Sequence, residues 1–148
     1  MKNKIRILGI IFCFILLITI RRLEVVLFYD PLLAFYKQTK FNHLPVPDFN
    51  IIKLILSLIF RYTLNTFLSL LILKLWFNNK NILKLSLYIY IIGFIIFTIL
   101  YIGSLYTNFG LGYMPTFYIR RILIQPVILL ILIPSVYYYK YTKNKSTN

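Results

Sequence analysis

Arg61 stands ten residues into an apolar run that begins at Ile51, a depth at which a bilayer-spanning helix would hold it away from water. An arginine so placed costs roughly 2.5–3.5 kcal/mol on insertion scales unless a partner or a hydrated path receives it. Two pairs, Arg21–Arg22 and Arg120–Arg121, adjoin other apolar runs. A guanidinium presents its donors in a planar fork that matches carboxylate and phosphate. The chemistry these positions suit is therefore anion capture inside or at the edge of a membrane.

The spacing assigns faces. Ser57, Arg61, Asn65 and Ser69 recur every four residues and form a polar ladder on one side of a helix, which belongs against other helices rather than lipid. Arg121 and Gln125 share a face, with Arg120 turned from them by about 100°. Arg21 and Glu24, three apart, can pair while Arg22 points elsewhere. Arg21, Arg22, Arg120 and Arg121 are expected to gather near the outer-leaflet level with Arg61 somewhat deeper, and Glu24 and Asp30 are the only acids nearby. Five guanidiniums against two carboxylates would leave a positive excess for phosphate or carboxylate from a lipid, a substrate or a protein partner.

Structural roles compete with this reading. The four arginines at run ends can snorkel to headgroups. Arg61 can form an internal ion pair, with Glu24 the expected partner. Ser57, Asn65 and Ser69 serve equally as hydrogen-bonding contacts between helices, and Pro126 and Pro134 as shapers of a helix that they bend.

The composition names the medium that must position these groups. Of 148 residues, 60% are apolar and 14% charged, and the mean hydropathy of +0.80 comes from runs of about twenty apolar residues. No soluble layer hides such runs. The net charge of +14 is dispersed at segment ends, with no polar domain to display it, so anionic lipid headgroups and not nucleic acid are its expected counterion. Cys13 is the only cysteine and His43 the only histidine. Neither a disulfide nor a thiol or imidazole metal site is expected, nor any cofactor, and Cys13 reads as a buried structural thiol.

The fold class that follows is all-α: one integral membrane domain over 1–148, a polytopic four-transmembrane-helix bundle with spans at 5–27, 51–77, 82–106 and 117–139. The first resembles an uncleaved signal anchor, since Lys2, Lys4 and Arg6 precede it and no small-residue cleavage pattern follows. Gly93 and Gly103 offer close helix contacts in the third. Asn78-Asn79-Lys80-Asn81 forms a short polar turn, and the connection Thr107 to Pro115 carries no charge. In the outer loop, 30–50, Tyr29, Phe35, Tyr36 and Phe41 favour an interfacial position. Lys2, Lys4, Arg6, Lys74, Lys80, Lys84, Lys140, Lys143 and Lys145 fall on one side, which the positive-inside rule makes cytoplasmic, with both termini. Lys37, Lys40 and Lys53 fall on the other.

Catalysis finds little support: Cys13 and His43 are not expected at one depth, no pair of membrane carboxylates suggests ion transport, and no repeated half suggests alternating access. An enzyme using Glu24 or Asp30 beside arginine clamps on an anionic lipid or lipid-linked substrate is the main rival to a binding protein. A channel would require oligomerisation and a repeated polar lining.

The segments Arg21-Arg22-Leu23-Glu24-Val25-Val26-Leu27-Phe28-Tyr29-Asp30-Pro31, Leu58-Ile59-Phe60-Arg61-Tyr62-Thr63-Leu64-Asn65-Thr66 and Tyr118-Ile119-Arg120-Arg121-Ile122-Leu123-Ile124-Gln125-Pro126 carry a specific likeness. With the size and four-span layout, the chain resembles the exosortase F system-associated membrane proteins of Flavobacteria and related Bacteroidetes. The resemblance implies a multi-pass inner-membrane protein working beside an exosortase, a transpeptidase-like membrane protein that processes substrates bearing C-terminal sorting signals. It implies an exosortase or its sorted substrate as partner, and an accessory instead of a catalytic role. No catalytic residue carries over.

Overall fold

The structure, a computed structural model, describes residues 2–24, 28–36 and 48–145. Among these, six helices and no strand occur: α1 (Lys2–Arg22), α2 (Pro31–Tyr36), α3 (Ile51–Phe77), α4 (Lys80–Tyr106), α5 (Tyr113–Ile124) and α6 (Val127–Lys145). Local sequence chemistry sets most of the boundaries. Asn50 caps α3 by accepting the Ile52 and Lys53 amides, and Asn79 caps α4 by accepting those of Asn81 and Ile82. Between the two long helices Asn78 takes the left-handed conformation, φ 46°, which asparagine tolerates better than other side-chained residues.

Two helices, α3 and α4, are long and apolar enough to cross a membrane, and the bent pair α5–α6 counts as a third when taken as one broken span. The α4 segment has a mean hydropathy of 2.4 with only 17% of it buried, against 1.6 and 39% for α3. The more apolar of these two helices is thus the less covered by its own chain, the opposite of a soluble core helix; lipid or a partner must cover it.

Helix α1 packs antiparallel along α3. Arg6 near its start donates Nε to the Leu75 carbonyl, one of those left open at the α3 C-terminus, while Glu24 just past its end lies beside Arg61. Helix α4 packs on both α3 and α5, and α5 on α3. A buried hydrogen bond joins Ser104 of α4 to Thr116 of α5, and the Tyr62 hydroxyl of α3 donates to the Tyr90 carbonyl of α4 at 2.6 Å.

Several boundaries differ from the sequence reading. The first helix stops at Arg22 with a turn at Leu23, short of 27; residues 25–27 lie outside the described segments. The outer loop contains a helix, α2, whose Leu32, Phe35 and Tyr36 are buried in the protein. Phe35 stacks on Phe109 at 5.8 Å, and Phe109 lies 4.6 Å from Tyr113. Tyr29 alone of the predicted interfacial aromatics is exposed, and Phe41 and His43 fall outside the described residues. Burial of aromatic area against like rings holds α2 to the α4–α5 turn.

The run expected as a fourth span is two helices and not one bent helix. Helix α5 starts at Tyr113, breaks at Gln125–Pro126 and resumes as α6 at an angle of 67°. Pro134, also expected to bend the chain, sits inside a continuous helix. Gly93 does meet a neighbour, Ile128 at 3.4 Å from a virtual Cβ, whereas Gly103 has open space.

Candidate functional site

The site forms where α1, the lead into α2, α3 and the end of α5 converge. The α3 ladder points inward as its spacing requires: Arg61 is 2% exposed, Asn65 6% and Ser69 0%, with Ser57 only half-buried. At ~1.5 Å per residue Arg61 lies ~15 Å along a helix ~40 Å long, so water at the helix end cannot serve it. Its partner must be internal.

That partner is Asp30. Its Oδ2 accepts from Arg61 Nη1 at 3.1 Å and from Arg120 Nη2, so one carboxylate oxygen joins α3 to α5. The side chains are almost entirely sequestered, 3% exposed for Arg61, 5% for Arg120 and 8% for Asp30. Glu24, expected as the main partner, is secondary: its Oε2 stands 3.9 Å from Arg61 Nη1 and the side chain is 22% exposed. Asp30 immediately precedes Pro31, the first residue of α2, where the fixed proline φ favours helix initiation. Anchoring of α2 in the aromatic cluster drives the carboxylate inward.

Aromatic rings complete the shell. Arg61 Cζ lies 4.5 Å from the Phe28 ring centroid and Arg120 Cζ 5.5 Å from that of Tyr36. Burial pushes the Tyr36 hydroxyl well above the ordinary tyrosine range, Arg120 pulls it back and Asp30 adds to the rise. The group stays neutral at physiological pH. Tyr101, 1% exposed, lies behind Asp30, Arg61 and Arg120. None of Phe28, Tyr36 or Tyr101 was singled out by sequence for this role. For the first two the aromatic pairs flanking Asp30 were a usable signal, whereas Tyr101 has no distinguishing neighbour in its run.

The five arginines do not gather. Arg61 and Arg120 are brought together; Arg21, Arg22 and Arg121 are exposed. Adjacent helical residues point about 100° apart, so burial of Arg120 turns Arg121 outward, where it donates Nε to Gln125 Oε1 at 3.3 Å. Arg21 and Arg22 close the last turn of α1, where cations meet the negative end of the helix. The expected Arg21–Glu24 pair is absent among the described residues, because Glu24 turns to Arg61. Two guanidiniums, Arg61 and Arg120, face two carboxylates, Asp30 and Glu24, so the buried cluster is balanced and the positive excess lies with the exposed arginines.

Asn65 Nδ2 donates to the Ile124 carbonyl at 2.9 Å, at the break before Pro126. A helix interrupted in an apolar medium must have its freed backbone groups satisfied by neighbours, and this amide does so. Beside it lies a cavity of about 230 Å³ bounded by Phe14 and Leu17 of α1, Arg61 and Asn65 of α3, and Leu129 and Leu130 of α6. Arg21, Glu24 and Gln125 are at its polar end. Arg61 thus stands between the ion-pair cluster and this cavity. Its Nε and Nη2 are buried without a hydrogen-bond partner, as is Asp30 Oδ1. Among the described residues no group of His, Cys, Asp and Glu is arranged to hold a metal ion, and Cys13 is buried in α1.

No protein-family profile, curated protein or solved structure matches the chain.

Proposed function

We propose that this chain is a non-catalytic accessory membrane protein of an exosortase-type protein sorting system, which binds a membrane protein or its substrate beside the Arg61 site. One observation carries the reading: a buried guanidinium that holds its acids through Nη1 alone and keeps Nε and Nη2 without a hydrogen-bond partner. Such donors cost free energy unless something accepts them. The exposed arginines Arg21, Arg22 and Arg121 supply the electrostatic approach to an acidic partner, and the uncovered face of α4 supplies apolar area for helix contact.

The proposal includes four spans, α1, α3, α4 and the broken α5–α6, with both termini cytoplasmic in a bacterial inner membrane. Charge supports it: Lys4, Lys74 and Lys80 lie at the end of the bundle that carries the α3–α4 turn, away from Asp30. The lipid-enzyme reading is weaker, because both candidate acids lie against guanidiniums instead of standing ready as bases.

The test is photo-crosslinking in native membranes from residues replacing Arg22 and Arg121, with Arg61→Lys and Arg61→Leu as variants. Capture of a sorting protease or its substrate, lost on Arg61→Leu while the protein still inserts, is the expected result. Native-level capture and sorting by both variants would remove the arginine from the mechanism.

A further inference from the structure

The cavity beside Arg61 has a shape that a protein helix does not fit. A dry apolar cavity of about 150 Å³ holds one benzene, so 230 Å³ admits a single hydrocarbon chain and excludes a polypeptide helix ~10 Å across. Its wall is apolar at the Phe14, Leu17, Leu129 and Leu130 end and polar at the Arg21, Glu24 and Arg61 end. Phe14 and Arg21 lie seven residues apart on one helix, which separates these ends by roughly 10 Å. Ile18 and Leu130 in the wall are exposed on the outer surface, so the cavity opens sideways between α1 and α6, where acyl chains would lie.

The polar end has a defined vacancy in hydrogen bonding. Arg61 Nη1 faces both Asp30 and Glu24. Nε and Nη2, which form the side edge of the guanidinium, have no acceptor although the residue is 98% buried (2% exposed). Arg21 and Arg61 against Glu24 give the lining a formal charge of +1, and counting Arg120 and Asp30 behind them leaves three cations, two anions and again +1. A monoanion neutralises the site.

We infer that this cavity binds one single-chain anionic amphiphile, a carboxylate or phosphate monoester on an unbranched hydrocarbon, with its head at the Arg21–Arg61 end and its tail along Phe14, Leu17 and Leu130. The inference rests on Arg61 as a binding residue, as the docking reading does, but not on the sorting partner. A bound amphiphile brings its charge beside Arg21 and Arg61 and fills the gap that the α5–α6 break creates.

The test uses the full chain in phosphatidylcholine nanodiscs, with a dansyl-labelled undecanoate displaced by lauric acid, dodecyl phosphate, dodecanol or dodecyltrimethylammonium. The acid or the phosphate should displace at least tenfold better than the alcohol or the cation. A preference for lauric acid identifies free fatty acids as the source, and a preference for dodecyl phosphate identifies phosphate monoesters. Arg61→Gln should weaken displacement at least tenfold. Because that variant disturbs the ion-pair cluster, Ile18→Trp and Leu130→Trp, which narrow the opening from the surface, should weaken it severalfold with thermal stability retained. Equal displacement by dodecanol, or by all variants, reduces the result to partitioning and overturns the inference. Amphiphile binding without a captured partner would retire the docking reading alone, whereas partner capture without head-selective binding would retire this one alone.

Discussion

Asp30 has two arginines to answer for, and the cost of removing it is asymmetric. Breaking a buried ion pair by deleting one partner strands the remaining charge and costs about 3–5 kcal/mol, whereas exchanging the whole group for apolar residues of similar volume is often close to neutral. Asp30→Ala should therefore destabilise the protein by about that amount, measured by reversible unfolding in mixed micelles. The combination Asp30→Leu, Arg61→Met, Arg120→Met should recover most of the loss. Glu24→Gln should cost under about 1 kcal/mol, because its contact is long and its carboxylate partly hydrated. A larger effect from Glu24 than from Asp30 would reverse the assignment of partners. If the triple variant is stable yet fails to bind, the charges are retained for recognition and not for folding.

At the scale of elements, the break at Gln125–Pro126 is the feature that makes room for the site. Pro126 lacks a backbone donor and disfavours helical geometry at the residue before it, and Gln125 accordingly takes extended angles, φ −117° and ψ 151°. Asn65 then satisfies the Ile124 carbonyl. Pro126→Ala should reduce the 67° angle between α5 and α6 and shrink the neighbouring cavity. Distances between spin labels at Tyr118 and Tyr138, in a Cys13→Ser background, should lengthen, and unchanged distances would place the cause of the bend elsewhere. The α4–α5 turn shows a related balance. Phe109 adopts φ 63°, an unfavourable conformation for a bulky residue, and is held there by its stacking on Phe35 and Tyr113. The same cluster fixes α2, and through it Asp30.

For the whole molecule, two ends are chemically distinct. The α3–α4 turn and the start of α1 form one, and Asp30, the start of α3 and the α4–α5 turn form the other. Under the proposed topology, these ends face opposite compartments. Single cysteines at Asn79 and Ser146, in a Cys13→Ala background, should react with an impermeant maleimide only from the cytoplasmic side, and cysteines at Asp48 and Asn108 only from the outside. Labelling of Asn79 and Asn108 from one side would refute the proposed topology.

Local chemistry along the chain was enough to indicate an apolar medium and to set the long elements. Long apolar runs, each opened by an asparagine cap, set α3 and α4 within two residues of the expected ends, and a four-residue polar period turned Arg61, Asn65 and Ser69 inward. These features are local, because backbone hydrogen bonds and helical period act over a few residues. The choice among distant partners was not local. Arg61 could have met Glu24 or Asp30, and either member of each arginine pair could have been buried; only the packing of α2 against the α4–α5 turn brought Asp30 between Arg61 and Arg120. Tertiary structure decided that, since ion-pair choice depends on which side chains arrive within a few ångströms after apolar and aromatic surfaces have packed.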